Sequence, residues 1–497
     1  MPDFDFLELT IREVHQAFRD KRLTAEKLAE AFLDRIAAYD RQGPAINSII
    51  LVNPRALEEA RELDRLHDET GGFKGPLHGI PVLLKDNVNT RDMPTTAGSR
   101  SLEGWIPQED AFITKRLRSA GALILAKTNL HEFAIWGETL SSMLGQTLNP
   151  YDLTRTPGGS SGGTGAAIAC NFGIIGIGTD TINSIRSPAS ACNLVGIRPT
   201  VGLVSRSGIV PYSLTQDTAG PLCRTVEDCV RTLEVMAGYD PDDEATAWSR
   251  GRIPESYLSF LNEEGLRGKR LGVLTSFFGR EKINQPVNRV MEEAMGLLEA
   301  GGATLIDIED RLDSDWMIRE VSVHLDDLRS HLDAFLAHAR PQPPVSSVRE
   351  IMDSGKFHPG IGDNLKTAME LAPGTPRYNE KRLRQLALGT QIMKIMAGHE
   401  LDALIYPHQQ QLVCKTGGSQ KQRNGVLCSA TGFPSIAVPA GFAPDPSAPL
   451  GVPVGMEMAG PPYSEPALIG MAYAFERVSG LRRPPSSCPS LEACSRK

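Results

Sequence analysis

The chain has 497 residues, 41% hydrophobic and 23% charged, a globular composition long enough for one large enzyme domain or two to three ordinary ones. Its net charge of −8, with no basic tract, argues against nucleic acid or an anionic membrane as partner. Met1 to Val14 holds no apolar leader core and no run approaches about 18 apolar residues, so neither a signal peptide nor a membrane span is expected and a cytoplasmic location is.

Residues 8–40 read as amphipathic helix, with Thr10 or Thr24-Ala25-Glu26 offering a cap and a first-turn acid. Residues 54–68 repeat that pattern. Gly79 to Asp86 is a short apolar strand carrying one cation, Lys85, near its end. Ala111 to Ser119 is predicted helical, and Ala122 to Ala126 a buried strand bounded by Gly121 and Lys127-Thr128-Asn129. A small-residue helix over 164–172 and a strand over 173–177 follow, so apolar strands alternate with helices as in an α/β core.

From about 240 to 400 the texture changes. Strands at 270–274 and 303–307 flank a helix at 284–300, and charged helices with breaks at Pro341, Pro343, Pro344, Pro373 and Pro376 come after them. Core-like sequence returns at 401–407 and 433–439. One domain over 1–485 is expected: N-terminal helices to 70, a catalytic core over 71–240, a variable covering region over 241–400, and closing strands and helix over 401–485. Residues 486–497 read as a tail. The eight scattered cysteines form no CxxC pair and are expected as reduced thiols. His131-Glu132 lacks the second histidine of a zinc helix, and the ten histidines show no metal spacing, so no metal and no cofactor are expected.

Two features carry chemistry. A lysine at the end of Val82-Leu83-Leu84 either snorkels to solvent or sits desolvated, where its pKa falls and a neutral amine becomes available as a base. Gly158-Gly159-Ser160-Ser161-Gly162-Gly163 is a flexible turn, or a G-x-S-x-G nucleophile elbow through Gly158, Ser160 and Gly162, or part of a larger pattern with Thr179-Asp180-Thr181 and Ser184 to Ala189.

In that larger pattern the chain resembles the amidase signature family. Gly75 to Pro81 leading into Lys85-Asp86 is similar to the family's lysine strand, and Lys127-Thr128-Asn129 with Glu132-Phe133-Ala134 to its next segment. Pro157 to Gly163 and Gly178 to Ala189 match the serine-rich signature, continued by Gly196 to Thr200, Gly202 to Gly208 and Asp217 to Asp228. Gly432-Phe433-Pro434, Pro453-Val454-Gly455 and Ala474-Phe475-Glu476 resemble the closing strands and helix. The match covers most of 1–240 and 400–485.

The resemblance implies an α/β/α sandwich: a mixed, twisted central sheet with helices on both faces. It also implies a serine–serine–lysine triad: Ser184 as nucleophile, Ser160 as relay across a cis peptide from Gly159, and Lys85 as base, cleaving a carboxamide C–N bond through an acyl-enzyme. The oxyanion hole falls on Thr181, Ile182, Asn183 and Ser184, with Ser161, Asp180 and Arg186 in support. Trp136 and Met143 are the pocket residues expected by family analogy, and Trp316, Phe335, Met352 and Phe357 further candidate walls. One departure stands out: the family usually places Gly-Gly before the nucleophile, and this chain has Ile182-Asn183.

The middle region, His324 to Leu336 with Asp327-Leu328, is more similar to the branch of peptide amidase and aryl acylamidases. The expectation is a linear-amide hydrolase, monomer or homodimer, taking a small-molecule amide. The competing readings are a protein like the A-type component of a glutamine-dependent aminoacyl-tRNA amidotransferase, an ester or carbamate hydrolase, and an inactive scaffold.

Overall fold

The structure is a computed structural model and describes residues 5–491. In chain order its strands are β1 (Ile49–Val52), β2 (Pro81–Lys85), β3 (Leu123–Thr128), β4 (Leu140–Ser141), β5 (Gly145–Gln146), β6 (Ile175–Asp180) and β7 (Val195–Arg198). They continue with β8 (Thr218–Cys223), β9 (Arg270–Leu274), β10 (Thr304–Ile308), β11 (Ala403–Pro407), β12 (Ser435–Asp445) and β13 (Ala448–Ala459). Among the described residues eleven of them form one sheet in the order β1-β3-β2-β6-β8-β7-β12-β13-β11-β9-β10, and β4–β5 is a separate two-residue hairpin. Every residue of β2, β3, β6, β8 and β11 is buried, because helices cover both faces of this mixed sheet. This is the expected α/β/α sandwich.

Three strand pairings bring the reactive residues to one edge. β2 lies parallel to both β3 and β6, so the three strands finish at the same end of the sheet. β8 runs antiparallel to β6, and its first residue, Thr218, sits opposite Asp180, the last of β6. Side chains at these strand ends therefore converge, which is where open α/β sheets place their ligands.

The predicted helix over 8–40 is two helices, Ile11–Arg19 and Ala25–Tyr39. Lys21 takes φ 54° between them, and both candidate caps are used: Thr10 accepts from Glu13 N–H and Thr24 from Lys27 N–H. Within the region expected to cover the core, residues 270–308 instead extend the sheet through β9 and β10, with helix Gln285–Ala300 packed on β12. The covering helices proper are Ser314–Glu320, His324–His338, Val348–Ser354, Gly362–Glu370 and Pro376–Gly398. Leu328, Leu332, Leu336, Ile351 and Leu365 from these helices share an apolar cluster with Phe133, Ala134 and Tyr212 of the core.

Segments near the two limits of the described residues are knitted together. Arg482 pairs with Glu8 at 2.8 Å and donates to Tyr151 Oη at 2.7 Å, while Arg35 donates to the carbonyls of Cys488 and Pro489 at 2.8 and 2.9 Å. Residues 486–489, the head of the expected tail, are thus packed, with Cys488 buried. Residues 492–497, Cys494 among them, lie outside the described residues.

Candidate active site

Lys85 is the last residue of β2. The apolar run before it carries the amine to the sheet edge, and the side chain is completely buried. Its Nζ is hydrogen-bonded to Ser160 Oγ at 2.7 Å and to Thr179 Oγ1 at 2.8 Å, and no carboxylate among the described residues stands within ion-pair distance. Burial pushes the amine down to about 7, against the weaker opposing pull of Asp180 and Asp217. Asn87 Nδ2 donates to the same Thr179 hydroxyl at 3.0 Å and fixes it.

The glycine-rich run forms the wall opposite Lys85. Gly158 takes φ 72°, a conformation open to glycine, and the Gly159–Ser160 peptide is cis, as the resemblance implied. Ser160 O accepts from His131 N–H at 3.0 Å. Helix Gly162–Ala169 follows, and a Cβ on Gly163 would run into the backbone of Asn129, so only glycine fits there. No strand leads into the serine as a nucleophile elbow requires, and its base is a lysine rather than a histidine. Ser161 joins the two serine turns: its N–H donates to Ser184 O at 3.2 Å and its Oγ donates to Thr179 O at 3.2 Å.

β6 ends at Asp180, and residues 181–185 turn into helix Arg186–Ala191. Ser184 lies in this turn with 4% of its surface accessible, and its Oγ has no hydrogen-bond partner among the described residues. The N–H groups of Ile182, Asn183 and Ser184 likewise meet no protein acceptor among them. Thr181 Oγ1 donates to Asp217 at 2.6 Å, and its carbonyl takes a 3.1 Å bond from Gln216 Nε2. Gln216 in turn accepts from Ser322 Oγ and Val323 N–H, which ties the turn to the covering region.

The turn is braced by buried charge. Asp180 accepts from Ile185 N–H at 3.0 Å and pairs with Arg186 at 3.0 Å and Arg198 at 2.8 Å. Burial alone would raise its carboxyl, but the two guanidiniums hold it well below the usual range. Arg186 also donates to Ile182 O at 2.9 Å and reaches Glu457 on β13 at 2.7 Å. Glu457 is bound by His408 Nδ1 at 2.6 Å and is held down to about 2 in spite of burial, chiefly by Arg186.

Ile182 and Asn183 both keep negative φ, so the turn needs no glycine on conformational grounds. The Ile182 side chain is buried in an apolar cluster with Met317, Val321, Val426 and Leu427, while Asn183 packs on Gly425 with its Nδ2 buried and unpaired. Trp136 donates from Nε1 to Asn364 at 2.8 Å. Met143, in the turn between β4 and β5, bonds through its N–H to Gly98 O, and it shares no hydrogen bond or apolar cluster with the triad or Trp136 among the described residues. Trp316 is 43% exposed, on helix Ser314–Glu320. Phe335, Met352 and Phe357 pack in the cluster that Trp136 borders.

Asn87, Gln216, His408 and Glu457 belong to this site and were not named from sequence, while Thr179 and Arg198 fell within matched segments without a role. Glu457 had a readable signal: a lone charge in the apolar run Val452 to Ala459, the same signal that marks Lys85.

The sequence profile described as Amidase matches residues 27–469. The chain belongs to the amidase family. This family member is 35% identical to a probable amidase of Arabidopsis thaliana over 97% of its own length and 92% of that protein. It is 33% identical to the A-type component of a glutamyl-tRNA(Gln) amidotransferase of Synechococcus sp. (strain JA-3-3Ab), covering 97% and 95% of the two chains. The solved native peptide amidase of Stenotrophomonas maltophilia superposes with a TM-score of 0.89 at 36% identity, over 98% of this chain and 100% of that one. The protein is accordingly an amide-cleaving enzyme with the amidase-signature fold and its serine–cis-serine–lysine chemistry. No helix among the described residues is long and apolar enough to cross a membrane.

Proposed function

We propose that this amidase acts on its own on a linear carboxamide, with Ser184 as nucleophile, Ser160 as relay and Lys85 as base. The observation that carries the reading is a fully buried lysine that meets no counter-ion among the described residues, bonded to Ser160 beside a turn with three N–H groups that meet no protein acceptor among them. Neutral Lys85 takes the proton of Ser160 as Ser160 takes that of Ser184, and Ser184 Oγ attacks the carbonyl carbon. The N–H groups of Thr181 to Ser184 receive the oxyanion, worth about 3 kcal/mol for each good donor. The C–N bond breaks as the proton passes back along the serines to the leaving nitrogen, and water then hydrolyses the acyl-serine. The Ser160–Ser184 bond closes with substrate in place, as catalytic hydrogen bonds commonly do.

Asp180, Arg186 and Ser161 are proposed to hold the turn rather than to touch substrate. We take the enzyme to be cytoplasmic, a monomer or homodimer; the negative charge argues against a nucleic-acid partner, and no helix among the described residues is long and apolar enough to cross a membrane. A serine-directed fluorophosphonate should label Ser184, and Ser184→Ala should abolish both labelling and turnover. Labelling of Ser160 with an active Ser184→Ala variant contradicts the assignment. The similarity to amidotransferase components carries a second reading, a glutaminase that works within a larger assembly. Turnover of simple amides by the purified chain decides for the first; activity that needs partner proteins and glutamine decides for the second.

A further inference from the structure

Arg423 projects from the strand-like segment after β11, where Gln409 pairs with Arg423 and Gln410 N–H bonds to Gln422 O. Its guanidinium carbon stands 5.4 Å from the ring centroid of Trp136. Its Nη1 is 3.4 Å from where a Cβ on Gly137 would stand, and that same point is 3.8 Å from Gly159 O, the peptide oxygen beside Ser160. The cation is therefore at the serine wall of the site.

It is also uncompensated. Arg423 forms no hydrogen bond and no ion pair among the described residues, and its Nε is shut off from solvent. The acid next along that wall, Glu138, is occupied by the N–H groups of Gly137 and Gln420. Two histidines within its field are held neutral: burial, with Arg423 contributing, holds His131 and His324 near 3. The Tyr212 hydroxyl, inside the same field, is another buried group without a partner. With its Nε buried and unpaired and its terminal nitrogens bonded to no protein group among the described residues, the guanidinium has donors to offer to acceptor oxygens. A planar, two-oxygen anion suits the fork geometry of arginine and leaves the tryptophan stacking in place.

We propose that Arg423, stacked on Trp136, is a specificity-determining subsite for a carboxylate on the substrate, so that the preferred substrates are amides carrying a second, anionic carboxyl group. This rests on the amidase reading of the site above. It makes Trp136 a platform for the arginine and adds Arg423 to the residues that select substrate.

The test compares succinamate and glutaramate with neutral amides of the same shape, 4-methylpentanamide and 5-methylhexanamide, in which an isopropyl group replaces the carboxylate. The wild type should favour the better carboxylate-bearing amide in kcat/KM by about tenfold to a hundredfold over its neutral match. Arg423→Ala should bring that ratio near unity, through KM of the anionic substrate, and Arg423→Lys should give an intermediate ratio because a point charge replaces a fork. A wild-type ratio near unity, or a ratio that survives Arg423→Ala, overturns the proposal. Calorimetric binding of succinate and glutarate reads the subsite without turnover: saturable binding lost in Arg423→Ala supports it, and no binding to the wild type overturns it. If none of the amides turns over and Ser184 resists fluorophosphonate, the amidase reading fails, and the binding measurement still decides the subsite.

Discussion

Lys85 and Lys127 lie on the neighbouring strands β2 and β3 one register step apart, Lys85 opposite Thr128 and Lys127 opposite Leu84; both are wholly buried, and only Lys127 has a counter-ion among the described residues, Asp86 at 3.3 Å. Burial lowers both amines, but Asp86 opposes the fall at Lys127, and Lys127 Nζ is further bonded to Val88 O and Thr95 Oγ1. Lys85 meets hydroxyls instead. One lysine thus has a carboxylate that opposes the loss of its proton, and the other has none within ion-pair distance among the described residues.

The first expectation is the pH profile. The working form of Lys85 is the neutral amine, and neutral amine accumulates as pH rises through its pKa, here about 7. Then kcat/KM should climb along a limb centred there and level off above it. Lys85→Arg should lose about a thousandfold or more, because guanidinium stays protonated. A rate independent of pH across that limb, or a near-normal Lys85→Arg enzyme, rules out the base role.

Lys127 should behave differently. Lys127→Met leaves Asp86 buried without its partner, at a cost of about 3–5 kcal/mol in denaturant unfolding. Adding Asp86→Asn should recover part of that loss. The position of the pH limb should not move, since Lys127 is bonded to neither serine.

Glu457→Gln tests the brace behind Ser184. It removes the carboxylate shared by Arg186 and His408 and leaves the guanidinium half-compensated in the core. Stability should fall by about 3 kcal/mol, measured by chemical denaturation. Because Arg186 also holds Ile182 O, kcat should drop together with kcat/KM rather than KM rising alone. A change confined to KM contradicts the link between brace and oxyanion turn.

The Ile182-Asn183 pair should be a matter of packing. Ile182→Ala empties a place among Met317, Val321 and Val426 and should cost about 2–5 kcal/mol. The double change to Gly-Gly adds about 1 kcal/mol through the freer unfolded chain. Rates should change modestly, since the backbone donors need no glycine to be presented. A several-hundredfold gain on all amides would instead mark the natural turn as a damaged oxyanion hole.

Much of the site was legible because its reactive groups sit in short local patterns. Lys85 ends an apolar run, and Ser160, Ser161, Asp180, Ser184 and Arg186 lie in two turns 24 residues apart at the paired serines. What holds them comes from far away in the chain: Arg186 and Glu457 are 271 residues apart, and the Thr181 turn is tied to Ser322 through Gln216. The same holds for the fold. Runs such as Leu271 to Leu274 and Ala403 to Ile405 announce strands, whereas β8 carries Pro221, which ordinarily argues against a central strand. Residues 8–40 read as continuous because a single left-handed residue, Lys21, breaks the helix without disturbing the hydrophobic period.

The sheet order has a consequence for synthesis. The hairpin β12–β13 is made after both β7 and β11, yet it is seated between them in mid-sheet. A growing chain that already contains Lys85, Ser160 and Ser184 has none of β12–β13, so β7 ends in an open edge and Arg186 has no Glu457. Such intermediates present unpaired strand edges to one another while the ribosome still works downstream. Catalytic competence therefore arrives with the closing hairpin: a fragment ending before residue 435 keeps all three reactive side chains and is expected to be inert and prone to aggregate.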